Sequence, residues 1–141
     1  MNANAANMRI NTNAKIIYPK LCYQLYGLFY QAHNELGRYC TEKQYADALE
    51  LLFKKNHILY QRELELTINF SQGNIKRNKV DFLIDNKILV DIKAKKLITK
   101  EDYFQAKRYL AASDLKLLLI VNFRERYVEP KRVLNSMAKE G

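Results

Sequence analysis

Residues 79–96 most constrain what this chain can become. Two short apolar, β-branched runs, 80–84 and 88–92, flank Asp85-Asn86-Lys87, which is the pattern of a β-hairpin. Side chains alternate along a strand, so Phe82, Ile84, Ile88, Val90 and Ile92 share one face. Asp81, Leu83, Leu89, Asp91 and Lys93 share the other. A three-residue loop pairs Ile84 with Ile88 and sets Asp81 opposite Asp91, with Cβ atoms roughly 4.5 to 5.5 Å apart. A two-residue turn would put the two carboxylates on opposite faces. Like charges that close across a half-buried sheet make physical sense around a hard divalent cation with oxygen ligands, Mg²⁺ first and Mn²⁺ as a substitute. Lys93 would aim a positive charge at whatever the cation holds. The plain alternative is a half-wet hairpin whose two solvated aspartates are neutralised by Lys93.

At 141 residues the chain has room for one domain with a core of its own. The expected layout is a disordered Asn- and Ala-rich lead-in over 1–14 and a single domain over 15–141. The hydrophobic content of 48%, with 10 Tyr and 6 Phe, argues against disorder in that domain. A net charge of +9 raises the local concentration of polyanions and makes nucleic acid the first partner to consider. No apolar run approaches the roughly 20 residues of a transmembrane helix, so no membrane partner is expected. Cys22 and Cys40 are too few for a disulfide framework or a structural zinc site, and both read as packing residues of a cytoplasmic protein.

Leu21, Leu25, Leu28, Phe29, Ala32 and Leu36 recur at helical spacing over 16–36, with Gly37 as the stop. The tyrosines of this helix could line a groove, or pair it with a second copy in a homodimer. Thr41-Glu42-Lys43-Gln44 has the capping-box form and opens a second helix to about Lys55. Residues 58–70 alternate as a strand with one wet face, and Ser71-Gln72-Gly73-Asn74 turns the chain. Lys76, Arg77 and Lys79 then form a basic loop that could meet phosphates or simply be solvated. Thr99-Lys100-Glu101-Asp102 caps a third helix to about Ala112, which carries Gln105 and Tyr109 one turn apart, next to Lys107 and Arg108. The near-continuous apolar run 115–123 reads as a strand buried on both faces, and the basic tail after Pro130 as a short terminal helix.

Asp81, nine intervening residues and then Asp91-Ile92-Lys93 resemble the signature of the PD-(D/E)xK nuclease superfamily, with Val80 where the name has Pro. His33-Asn34-Glu35-Leu36-Gly37, then Glu42, then Tyr45-Ala46-Asp47-Ala48-Leu49 is similar to the first block of its GxxExxR branch. Tyr39 and Tyr45 stand where that branch has Gly and Arg, so only Glu42 remains of its name motif. Gln105-x-x-x-Tyr109 resembles the helix beside the metal site in RecB-like nucleases. The resemblance implies an α/β fold: a mixed α+β sheet in a restriction-endonuclease-like αβββαβ core flanked by helices. It also implies hydrolysis of phosphodiester bonds in nucleic acid, DNA before RNA. Asp81, Asp91, the Ile92 carbonyl and Glu42 would hold Mg²⁺, and Lys93 would stabilise charge on the phosphate. Gln105 and Tyr109 would orient substrate or water, and Lys76, Arg77, Lys79, Lys95, Lys107 and Arg108 would meet the backbone of the nucleic acid. Two alternatives stay open. Glu42 can be a helix-dipole residue in a first turn, and the whole chain can be a nuclease-fold module that binds nucleic acid or a partner protein without cutting.

Overall fold

The structure, a computed structural model, describes residues 17–138, with backbone alone for 68–70 and 74–77. The lead-in expected over 1–14 lies outside the described residues. Helix α1 spans Pro19–Leu36. Proline at its first position needs no N–H partner, and Gly37 ends it at φ 78° with its N–H on the His33 carbonyl. Helix α2, Glu42–Lys55, starts from Thr41 with the reciprocal Thr41/Gln44 capping box in place. Each buries one stripe: Cys22, Leu25, Leu28, Phe29 and Ala32 on α1, and Tyr45, Ala46, Leu49 and Phe53 on α2.

Strands β1 (Tyr60–Phe70), β2 (Gly73–Ile84), β3 (Ile88–Lys93), β4 (Leu117–Asn122) and β5 (Lys131–Leu134) form one mixed sheet in the order β1-β2-β3-β4-β5. Only β3 and β4 are parallel, joined through helix α3, Lys100–Ser113. The α1 and α2 stripes pack with Phe82, Ile84, Ile88, Val90 and Ile92 on one face of the sheet. Helix α3 packs Ala106, Tyr109 and Leu110 with Leu83, Leu89, Leu118 and Ile120 on the other. All six residues of β4 are buried, as a strand covered on both faces requires.

Two segments depart from the sequence expectation. The expected terminal helix after Pro130 is strand β5, antiparallel to β4 with Val133 opposite Leu118. Val133 is buried there, and a β-branched residue that fills the α3 face outweighs weak helical signals in so short a piece. The expected basic loop at 76–79 is part of β2, paired through Thr67↔Arg77 and Glu65↔Lys79.

The β2–β3 hairpin has the three-residue loop. Ile84 pairs with Ile88, Leu83 with Leu89 and Phe82 with Val90, and the Lys87 N–H closes on the Ile84 carbonyl at 2.8 Å. Asp85 and Asn86 take φ of 52° and 56°, where short polar side chains cost less than other non-glycine residues. The ladder ends at Phe82↔Val90, and just beyond it the Asp81 carboxylate meets the main chain of β3 at Ile92.

The β1–β2 ladder carries an irregularity at the same level. Pairing passes from Arg62↔Phe82 to Leu64↔Val80, and Glu63, the residue skipped, has φ 57°. Before it, Tyr60 packs on the α1–α2 side; after it, Leu64 and Leu66 pack toward α3. Val80 crosses to the α3 side with them. Strict alternation would have kept Val80 with Phe82. The left-handed turn at Glu63 therefore sits directly across from Asp81.

Candidate active site

The end of β3 gathers the groups singled out by sequence. Asp91 is 5% exposed, and its Oδ2 atom has no hydrogen-bond partner among the described residues. Lys93 Nζ stands 3.6 Å from that oxygen and 3.8 Å from Asp102 Oδ1, longer than a hydrogen bond in both cases. Asp81 Oδ2 accepts the Ile92 N–H at 2.6 Å. Glu42 reaches over from the first turn of α2, and its Oε2 accepts the Ala94 N–H at 3.3 Å. Tyr109 lies buried beneath this group and donates its hydroxyl to the Lys79 carbonyl at 3.3 Å.

The charges act on one another. Burial, before any other cause, pushes the Asp91 carboxyl up to about 7; Asp81 and Glu42 push the same way and Lys93 opposes them. Asp81 is raised as well, first by burial and then by Glu42, against the Ile92 N–H and Lys93. The Tyr109 phenol is pushed up to about 12 by burial and by the two aspartates. Asp102 goes the other way. Burial works against its ionisation, but hydrogen bonds from Lys95 and Thr99 hold it below the usual carboxylate range.

A buried carboxylate oxygen without a partner is costly and calls for a physical account. A hard cation fits the donor chemistry here: carboxylate oxygens at Asp91, Asp81 and Glu42, all at one end of β3. Among the described residues no three acidic, histidine or cysteine side chains already form a closed metal cluster. Asp81 and Glu42 each lend an oxygen to a backbone N–H of β3 or its exit. Of the Ile92 main chain, the N–H meets Asp81.

Other expected residues are distributed as follows. Gln105 is half-buried on α3, one turn before Tyr109, and makes no hydrogen bond to the described residues. Lys95, expected on nucleic acid, is instead gripped by Asp102 at 2.9 and 3.1 Å. Lys107 Nζ donates to the Leu134 carbonyl at 2.9 Å, and Arg108 is exposed on α3. Lys79 is exposed, 3.9 Å from Glu63. The Lys76 and Arg77 side chains lie outside the described residues. Tyr45 is fully buried, stacks on Phe123 at 4.2 Å and donates its hydroxyl to the Gly37 carbonyl. It pins the loop before Glu42.

Two positioning groups escaped the sequence reading. Asp102 completes the capping box with Thr99 and at the same time faces Lys93 and Lys95. Its first role was legible in the Thr99-x-x-Asp102 spacing, but its second needed the fold. Asn122 is 2% exposed; its side chain accepts from the Lys95 N–H at 3.1 Å and donates to the Lys95 carbonyl at 2.8 Å. A polar residue that closes an otherwise apolar strand was the available signal.

Comparison with known proteins places this arrangement. The crystal structure of SSO0001 is 21% identical over 64% of this chain, with a TM-score of 0.52, a likeness of fold. This chain spans 48% of that one. No curated protein matches the chain. A protein-family model of the PD-(D/E)XK nuclease superfamily matches residues 19–133, every element of the fold but the last residue of β5. The chain belongs to the PD-(D/E)XK nuclease superfamily.

Proposed function

We propose that the chain hydrolyses phosphodiester bonds of nucleic acid with the help of a divalent cation, Mg²⁺ first and Mn²⁺ as a substitute. Membership in a nuclease superfamily implies a nucleic-acid substrate, and the superfamily usually uses divalent metals such as Mg²⁺. The observation that carries the reading is the buried Oδ2 of Asp91, which has no hydrogen bond among the described residues and faces Lys93 at 3.6 Å. Asp91 and Asp81 would hold the cation, joined by Glu42 and the Ile92 carbonyl. Bound there, it supplies Lewis-acid polarisation and a lower pKa for coordinated water. Lys93 stabilises the negative charge that builds on the phosphate oxygens, a role in which a fixed charge in a site shielded from water counts most. Asp91 and Asp102 hold its ammonium from two sides. From α3, Gln105 orients substrate or water, and Tyr109 acts from beneath through its hydrogen bond to the Lys79 carbonyl.

DNA is preferred to RNA on the family resemblance alone. Within the superfamily, we assign the chain to the GxxExxR branch with a RecB-like helix. Glu42 at the site and Tyr109 against it support this. Incubation of the purified chain with labelled DNA and RNA in Mg²⁺, Mn²⁺ or EDTA tests the reading. Cleavage of DNA that stops in EDTA is expected.

A second reading, a module that binds nucleic acid without cutting, is favoured by the lack of a closed carboxylate cluster among the described residues. It predicts salt-sensitive binding that is indifferent to Mg²⁺. A wild type that binds both substrates and cuts neither under any of the three conditions decides for it.

A further inference from the structure

The turn between α1 and α2 and the turn after β4 meet in a reciprocal contact. Arg38 Nε donates to the Arg124 carbonyl at 2.8 Å, and Arg124 Nε donates to the Arg38 carbonyl at 3.0 Å. Both guanidinium carbons lie 5.4 Å from the centroid of the Tyr39 ring. The Tyr39 side chain is nonetheless 75% exposed. A tyrosine that neither enters the core nor finds a hydroxyl partner among the described residues contributes little to folding. Neither guanidinium is ion-paired among the described residues, so two positive charges are held over the Tyr39 ring while the residue keeps most of its surface in solvent. Each Arg is fixed through Nε, which leaves its terminal nitrogens free to donate.

This group sits on the rim of the candidate site. Tyr39 is three residues before Glu42, a span of at most about 11 Å for an extended chain. Arg124 donates its N–H to Asn122 Oδ1, the same side-chain oxygen that accepts from the Lys95 N–H.

We infer that Arg38, Tyr39 and Arg124 form a clamp for single-stranded nucleic acid beside the site, with one unpaired base stacked on Tyr39 and the guanidiniums on the neighbouring phosphates. The inference rests on the nucleic-acid reading above and adds the form of the substrate. An open ring can stack only on a base whose face is free, and inside a duplex both faces of every base are covered. The interior of a continuous duplex would use the arginines but leave the ring idle. The substrate therefore carries an unpaired stretch at or next to the cleaved bond.

The test is equilibrium binding in EDTA to a labelled DNA single strand of about 20 nucleotides, read by fluorescence anisotropy, and displacement of that strand by relaxed, covalently closed circular duplex DNA, which has no free base face. Tyr39→Ala is expected to weaken single-strand binding by at least about 5-fold, the small end of what one missing stack costs, and to leave the duplex within about 2-fold. Tyr39→Trp should restore it. Arg124→Gln should flatten the salt dependence on the single strand by about 0.7. Thermal melting of each variant checks that the fold is kept, which the exposure of Tyr39 favours. Equal binding of wild type and Tyr39→Ala to the single strand overturns the clamp, and so does an equal loss on strand and duplex. The same preparations assayed for cleavage in Mg²⁺ separate the two claims. Wild type that cuts DNA while Tyr39→Ala binds normally removes the clamp and keeps the nuclease; Tyr39-dependent binding by a wild type that never cuts keeps the clamp and removes the nuclease.

Discussion

Asp91 is a side chain whose place in the metal-free fold is unfavourable on its own account. Its pKa, ordinarily about 3.9, is pushed up to about 7 by burial. A carboxyl with a raised folded pKa gives stability that is complete below about pH 4 and is lost as pH rises through about 7. Metal-free protein should therefore weaken over that window. Asp91→Asn removes the buried charge, so in EDTA near pH 8 it should be more stable than wild type by on the order of 1 to 3 kcal/mol, with the difference shrinking toward pH 5. Urea denaturation at the two pH values checks this; an Asn variant less stable than wild type near pH 8 would show that Asp91 is a satisfied structural residue. Asp102 invites a different prediction. Asp102→Asn keeps an acceptor for the Thr99 cap but gives up the charge that holds Lys93 and Lys95, so the cleavage rate should fall by about 10-fold with little change in metal affinity. A rate equal to wild type in single-turnover assays would free Lys93 from any dependence on Asp102.

Local periodicity and turn chemistry made most elements readable at their own scale. The two capping boxes, Gly37 and the loop Asp85-Asn86-Lys87 each act within a few residues, so Thr41, Thr99 and the Ile84↔Ile88 register could be read without knowing what packs where. What could not be read depended on partners far away in sequence. Strand β5 is decided by the open edge of β4, and the change of face at Glu63 is decided by two cores on opposite sides of the sheet. Lys95 looked like any other surface lysine because Asp102 reaches it only after α3 has docked. The hairpin loop itself can be tested. Deleting Asn86 leaves a two-residue turn, which shifts the register by one and turns Asp91 away from Asp81. Loss of Mg²⁺ binding in calorimetry, in a variant that still melts cooperatively, is expected; an unchanged titration would mean that the carboxylates do not bind metal as a pair.

Over the whole molecule, the net charge of +9 supplies a field that draws in polyanions whatever the details of the site. The β1–β2 ribbon carries part of it, with Lys79 exposed and Lys76 and Arg77 on the same strand. Replacing all three with Ala should weaken DNA binding and flatten its salt dependence by about 0.9 for each phosphate no longer neutralised, while cleavage of bound DNA survives. An unchanged salt slope would mean that the ribbon points away from the substrate. No described helix is long and apolar enough to cross a membrane. Charge can bring nucleic acid to the surface, but it cannot cut: cleavage by the wild type separates an enzyme from a binding module, and the contribution of Lys93 separates catalysis from attraction. Single-turnover cleavage of DNA in Mg²⁺ by wild type and Lys93→Met, with calorimetric Mg²⁺ titration of both, measures both directly. Lys93→Met is expected to bind metal and DNA nearly as wild type does and to cut at least about 100-fold more slowly, the scale of removing one preorganised electrostatic donor. Equal cleavage rates would contradict a catalytic role for Lys93.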